Sequence, residues 1–301
     1  MIRIHFALIC FLAYCISSFS CLAQELDLQK MLIEDQGKKV SPNKYVEGTF
    51  YSTRLINGHS IESLDAGILD FRIAHRFGRI SDGLYDLFGL DNASMRMGLD
   101  YGITDKLMVG VGRSTFQKQL DGFVKYKILS QTNDEKIMPV SLSWMSSLMI
   151  QTLRWDNPDR KNYFSSRLYY AHQLLLARKF SERTSFQLMP TMVHYNLVTF
   201  KGQSNDLFSI GIGGKQKIMD KLSLNAEYYY QIPGTQFQNT QNSFSVGFDI
   251  ETGGHVFQLH VTNSRGMTER TFIHETDGGW DKGDLLFGFN ISRVFTLKKK
   301  K

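Results

Sequence analysis

The feature that most constrains this chain is an alternation of apolar with small or polar residues, cleanest in the last stretch, Leu285 to Leu297. Leu285, Phe287, Phe289 and Ile291 share one face, continued by Arg293, Phe295 and Leu297. Leu286, Gly288, Asn290, Ser292, Val294 and Thr296 share the other. Successive side chains of a strand point to opposite sides, so alternation of this length is a strand with one greasy and one wet face. A long last strand ending on an aromatic suits the closure of a transmembrane β-barrel.

The pattern recurs upstream. Leu69, Phe71, Ile73, His75 and Phe77 oppose Asp70, Arg72, Ala74 and Arg76, while Phe208, Ile210 and Ile212 oppose Ser209, Gly211 and Gly213. Residues 184–198 alternate less cleanly, because Pro190 lies among them and cannot donate to a sheet ladder. Counted from residue 67, the repeats predict 12 strands. Their connections sort into two sets. Residues 104–106, 131–136, 181–184, 219–221 and 251–254 are short, whereas the alternate set is mostly longer and ends with 263–284. Even strand counts, short periplasmic turns and long external loops are the outer-membrane pattern. The predicted fold is therefore all-β: a transmembrane, antiparallel, up-and-down β-barrel over residues 65–297, with a short periplasmic N-terminal segment at 24–64. Residues 49–56 also read as a short strand, but a thirteenth strand would break the parity. They are expected outside the wall, either in the periplasm or as a plug in the lumen.

Alternation alone does not say which face is inside, since a soluble barrel would turn its apolar face inward. Three other features favour a membrane. Charged residues share a face with glycines and serines, and a Lys or Arg facing lipid at mid-membrane costs roughly 2–4 kcal/mol. Arg113 and Arg293 fall in the apolar phase, but toward strand ends where they reach headgroups. Tyr101, Trp144, Tyr170, Tyr228, Tyr230 and Phe295 suit aromatic girdles at the two interfaces. Finally, the basic start, the apolar run Phe6 to Phe19 and the small Ala23 read as a secretory signal peptide over residues 1–23. All three cysteines lie in that leader, and no later run is apolar enough for a membrane helix. Of the net charge of +6, Arg3 supplies one and Lys298 to Lys301 supply four, which leaves a body close to neutral. That balance excludes a nucleic-acid footprint. The basic tail, residues 298–301, is expected in the periplasm, where an anionic protein partner would meet it.

Several stretches resemble an uncharacterised family of outer-membrane β-barrel proteins of Bacteroidetes-type bacteria. They are Ser52 to Glu62, Leu69 to Gly78, Gly98 to Thr104, Glu251 to His260 and Phe287 to Phe295. The resemblance covers nearly the whole chain after the leader. It implies a barrel in the outer membrane, in contact with its lipid bilayer and with the barrel-assembly machinery through the C-terminal strand. It implies no known activity, so no catalytic residues are carried over.

With this phase, Asp70, Arg72, Arg76, Arg96, Asp100, Lys125, Lys127, Arg167, Gln187, Glu227 and Asp249 should line the lumen. They form either a weakly anion-favouring selectivity lining or a closed network of ion pairs. Twelve strands lie between small barrels filled by side chains and wide porins. The functional expectation is solute passage, and the alternative is a non-conducting barrel serving as envelope scaffold or binding partner. Catalytic, metal and cofactor sites are not expected. Gly211 to Lys215 lacks the spacing and following helix of a phosphate loop, and His59 beside Ser60 in an extended segment is poorly placed to activate it. The loop Asn263 to Asp284 either folds into the mouth, meets a partner, or is plain surface.

Overall fold

A computed structural model describes residues 45–132, 138–198, 200–237 and 239–298. The leader, residues 24–44 and most of the lysine tail lie outside these. Twelve strands run up and down: β1 (Ile68–Arg79), β2 (Ala93–Gly102), β3 (Leu107–Ser114), β4 (Gln119–Leu129), β5 (Ser141–Gln151) and β6 (Leu168–Lys179), then β7 (Thr184–Tyr195), β8 (Asp206–Met219), β9 (Leu222–Gln231), β10 (Ser243–Thr252), β11 (His255–Thr262) and β12 (Leu286–Thr296). Each pairs antiparallel with its chain neighbours, and β1 pairs with β12, so the sheet closes on itself. At that seam Ile73 stands opposite Ile291 and Ala74 opposite Asn290. Closure leaves no unpaired edge, which is what allows strands to cross a membrane. No helix among the described residues is long and apolar enough to do so.

The alternation resolves into an apolar outside and a polar inside. Along β8, Phe208, Ile210 and Ile212 are 40, 42 and 52% exposed on the outer face, while Ser209 and Lys215 are buried on the inner one. Trp144, Tyr230 and Phe295 also face outward. Water against so continuous an apolar belt would cost about 25 cal/mol for every Å², so the belt belongs against lipid. A soluble barrel has the reverse polarity.

Pro190 lies within β7, on the outer face. The β6–β7 pairing passes from Gln173↔Thr191 to Leu176↔Leu188, so the ladder is interrupted beside Pro190 without a change of register. A missing N–H costs the ladder one rung and leaves the closed wall around it intact.

Between β11 and β12 the longest connection carries a short helix, α1 (Glu269–His274), with all six residues buried. It turns inward, into the lumen.

Candidate functional site

The barrel interior is occupied by chain. From Thr49 to Ile61 every residue except Tyr51 is buried, although none belongs to a wall strand. The segment is a narrow hairpin. Leu55 N donates to Gly58 O at 2.8 Å, Ser60 N donates to Thr53 O at 3.0 Å, and Arg54 bridges His59. Both its ends lie at the short-turn rim: Val46 N donates to Gln131 O, and Gly67 N donates to the O of Gly102, the last residue of β2. The alternation of 49–56 thus forms no thirteenth strand of the wall. A sheet already closed by β1 and β12 has no edge to offer it, so its backbone is satisfied by side chains instead.

Glu227 of β9 caps the tip. Its carboxylate accepts from the backbone N–H groups of Ile56, Asn57 and Gly58 at 3.3, 2.8 and 3.1 Å. Three N–H groups converging on one buried carboxylate form a charge-assisted cradle. Arg76 donates to Asn57 Oδ1 at 2.8 Å, Gln187 to His59 O at 2.8 Å, and Arg72 to Ser52 Oγ and Thr53 Oγ1 at 3.1 and 2.7 Å. Lys125 donates to the carbonyls of Ser60 and Glu62. Two glycines make the fit possible. A Cβ on Gly58 would lie 2.0 Å from the Tyr229 hydroxyl, and one on Gly213 of β8 would lie 2.4 Å from Leu55 Cδ1. Gly213 therefore makes room for the hairpin, and Gly211 for the Tyr229 ring beside it.

The residues picked from the sequence sort accordingly. Asp70, Arg72, Arg76, Arg96, Asp100, Lys125, Gln187, Glu227 and Asp249 are all buried on the inner face. Asp70 pairs with Arg72 at 2.9 Å, and Asp249 accepts from Gln258 at 3.0 Å. Arg96 grips Asp121 through two hydrogen bonds, at 2.9 and 2.5 Å. Asp100 makes none of these contacts, and Lys127 is half-buried at the turn end of β4. Arg167 is a correction. It ends a 3-10 turn, Phe164–Arg167, ahead of β6, and its guanidinium lies 3.7 Å over the Trp155 ring. The strand begins one residue later than the alternation suggested, so cation–π stacking at the rim holds Arg167 off the lumen wall.

From the opposite rim, α1 descends to meet the hairpin. Glu269 lies 3.5 Å from Arg54 and 3.6 Å from His59, and accepts from Ser147 Oγ at 3.1 Å. Phe272 packs edge-on against Tyr229 at 5.1 Å. Leu55, Ile61, Met145, Met189, Tyr229, Phe272 and Ile273 form one buried apolar cluster with further wall residues. Burial alone pushes the His274 imidazole down to about 3, so it sits neutral in this core. Ser60 Oγ donates to Ser52 O at 2.5 Å and accepts from Glu62 N at 3.2 Å, so its hydroxyl is engaged within its own segment. Gln258 and Asn290 lie on the small-residue faces of their strands, where the alternation marks them as inward but not as contacts, and both donate to the hairpin tip. Arg54 and Glu269 lie outside the strands, where no periodicity marks them.

No curated protein matches the chain in sequence. Among solved structures, the NanC porin superposes with a TM-score of 0.46 at 10% identity, covering 77% of this chain and 100% of that one. The KdgM porin gives 0.45 at 10% identity, covering 76% and 99%. The outer membrane protein Omp33 of Acinetobacter baumannii gives 0.42 at 7% identity, covering 75% and 97%. At such overlap and identity nothing about cargo follows from them. A closed, even-stranded antiparallel barrel with an apolar outer belt is the architecture of the outer membrane, and that is this protein's address. Residues 50–295, hairpin included, match the family described as a membrane-bound beta barrel domain (DUF5777), and the chain belongs to that family.

Proposed function

We propose that this protein is a gated passage: a porin-like wall whose lumen is closed at rest by residues 45–64 and opens when that hairpin withdraws. One observation carries the reading. The wall closes through β1 and β12 without the hairpin, which is fixed by side-chain hydrogen bonds and packing, so it can leave without breaking a ladder between strands. Its ends lie at the short-turn rim, which faces the periplasm in outer-membrane barrels. Residues 24–64 then form a periplasmic segment with its last part in the pore, following a cleaved leader at 1–23. The lumen that opens carries Arg72, Arg76, Arg96 and Lys125 and favours anions weakly. The closing strand β12 serves as the contact for the assembly machinery.

A second reading, a non-conducting scaffold, is favoured by the shared apolar cluster of wall, hairpin and α1. Fully burying Leu55, Ile61 or Phe50 contributes about 1.5–3 kcal/mol each, which resists withdrawal.

Conductance separates the two. The chain beyond residue 23 has no cysteine, so Asn57→Cys with Ser245→Cys, whose native side chains hydrogen-bond at 3.0 Å, tethers the hairpin to β10. In planar bilayers, a gated passage gives discrete steps in the reduced protein that vanish on oxidation. Silence in both states, and in a Glu227→Leu variant with a folded wall, would select the scaffold.

A further inference from the structure

Two hollows adjoin on the lipid face of the wall, across β7 to β10. The first has a volume of about 320 Å³ and lies over a dent in the apolar belt. Gly214 of β8 stands opposite Ala226 of β9, and both fall in the outward phase of their strands. Phe186, Ile212, Leu224 and Tyr228 stand around them. A Cβ on Gly214 would lie 3.1 Å from the Phe186 ring, so that ring leans over the dent. The second hollow, of about 540 Å³, lies above it at the long-loop rim. Ile212, Tyr228 and Phe244 line both, while Gln241, Trp280 and Asp281 line the upper one alone. Its frame is already fixed. Trp280 Nε1 donates to Phe244 O at 3.1 Å, Asn242 Nδ2 to the Tyr228 hydroxyl at 2.8 Å, and Phe244 N to Asn263 Oδ1 at 2.9 Å. Gln241 and Asp281 are exposed, so their side chains can reach a ligand.

An empty dent in a lipid-facing wall forfeits the dispersion contacts of its lining, so an acyl chain fills it. The belt around it already meets lipid, and the dent is continuous with that belt. The rim above selects the head. A carboxylate accepts hydrogen bonds and repels phosphate, so Asp281 favours hydroxyl donors, held by charge-assisted bonds about twice as strong as neutral ones. Gln241 both donates and accepts, as sugar hydroxyls do. The Trp280 and Phe244 rings, 4.8 Å apart, offer apolar surface to the C–H face of a sugar. The geometry points to one glycolipid site, with an acyl chain over Gly214 and Ala226 and a sugar head between Trp280 and Asp281. A frame fixed before binding spares the cost of ordering it. Gly213 faces Leu55 of the hairpin, whereas Gly214 faces the groove, so the site lies across the wall from the plug. It stands whether or not the lumen opens.

The test is fluorescence quenching of the refolded full chain in phosphatidylcholine bilayers. Trp144→Phe and Trp155→Phe leave Trp280 as the one tryptophan of the original three. A glucosyl diacylglycerol with brominated chains, added as a minor fraction, should quench Trp280 several-fold more than brominated phosphatidylcholine at the same fraction. Asp281→Ala should erase that preference. Gly214→Leu with Ala226→Leu fills the dent and should lower the glycolipid signal several-fold, in a barrel whose folding is checked by heat-modifiable gel mobility. Equal quenching by the two lipids would show ordinary boundary lipid and overturn the site. A glycolipid signal that falls as protein is concentrated in the bilayer would put a second copy of the chain in the groove and overturn it equally.

Discussion

Two pieces of chain fill one lumen, and they are held differently. The hairpin is anchored through its backbone, by wall side chains that reach it from many strands: Glu227 from β9, Gln187 from β7, Asn290 from β12, Gln258 from β11. The α1 loop is tethered covalently at both ends, to β11 and β12, and sits by its side chains, with Thr268 donating to Gln119 at 2.6 Å and Phe272 against Tyr229. A segment tied to the wall at only one end can withdraw as a unit, whereas a loop tied at both can only rearrange. In the gate proposed here, that difference would put the moving part on the short-turn side and a fixed floor on the other.

The largest effect expected on that contrast comes from Glu227→Leu. It strips the acceptor from three buried N–H groups, and bonds to a charged group are worth about 1.5–3 kcal/mol each. Hydrogen exchange at residues 56–58 should speed up by on the order of a hundredfold or more, with α1 protection little changed. Equal loss in both would show that hairpin and loop form one cooperative unit.

Ile73→Arg strikes the wall that holds both, placing a cation on the lipid face in the middle of β1. A loss of roughly 2–4 kcal/mol in urea unfolding of the barrel in bilayers is expected. No loss would mean that this face does not meet lipid. Gly58→Ala pushes a methyl group against the fully buried Tyr229. Overpacking of this kind costs about 1–3 kcal/mol. It should raise protease sensitivity in 45–64 alone.

The loop has its own handle in pH. His274 is held neutral with a value of about 3, below its ordinary 6.5. Its contribution is fully present above pH 6.5 and is lost as pH falls through the window from 6.5 to 3. Between pH 6.5 and 5.5 the loss is about 1 kcal/mol. Exchange in 269–274 should follow that slope, and His274→Leu should flatten it while hairpin exchange keeps its own profile. The smallest effect is Glu182→Ala, which removes the partner of Lys179 at an exposed turn. A surface pair contributes about 0–1 kcal/mol, so neither insert should respond in the same exchange experiment.

The wall was legible because burial and lipid exposure impose the same two-residue rhythm on every strand, so Leu69 through Phe77 or Phe208 through Ile212 disclose both the element and its orientation. Membrane polarity needed a further argument, the company that charges keep with Gly and Ser, and the outward exposure of Phe208, Ile210 and Ile212 with burial of Arg72, Arg76 and Lys125 agrees with it. Arg167 was misread because a rim residue one step before a strand continues its phase without sharing its backbone. The lumen contents were legible only in part. Asn57-Gly58 announces a turn, and Glu227 and Gln187 announce an inward polar face, but nothing in a linear pattern says that the one is seated on the other.

By itself the sequence determined the strands, their alternation, the parity of their loops and the sign of each face, because these depend on neighbours along the chain and on the solvent they meet. Only the tertiary structure decided what the inward charges do. Glu227 and Asn57 stand 170 positions apart, yet their hydrogen bond is 2.8 Å. Residues so far apart in the chain are brought into contact by closure of the ring, and the same closure, by removing every free edge, sends the hairpin into the lumen to be held by side chains.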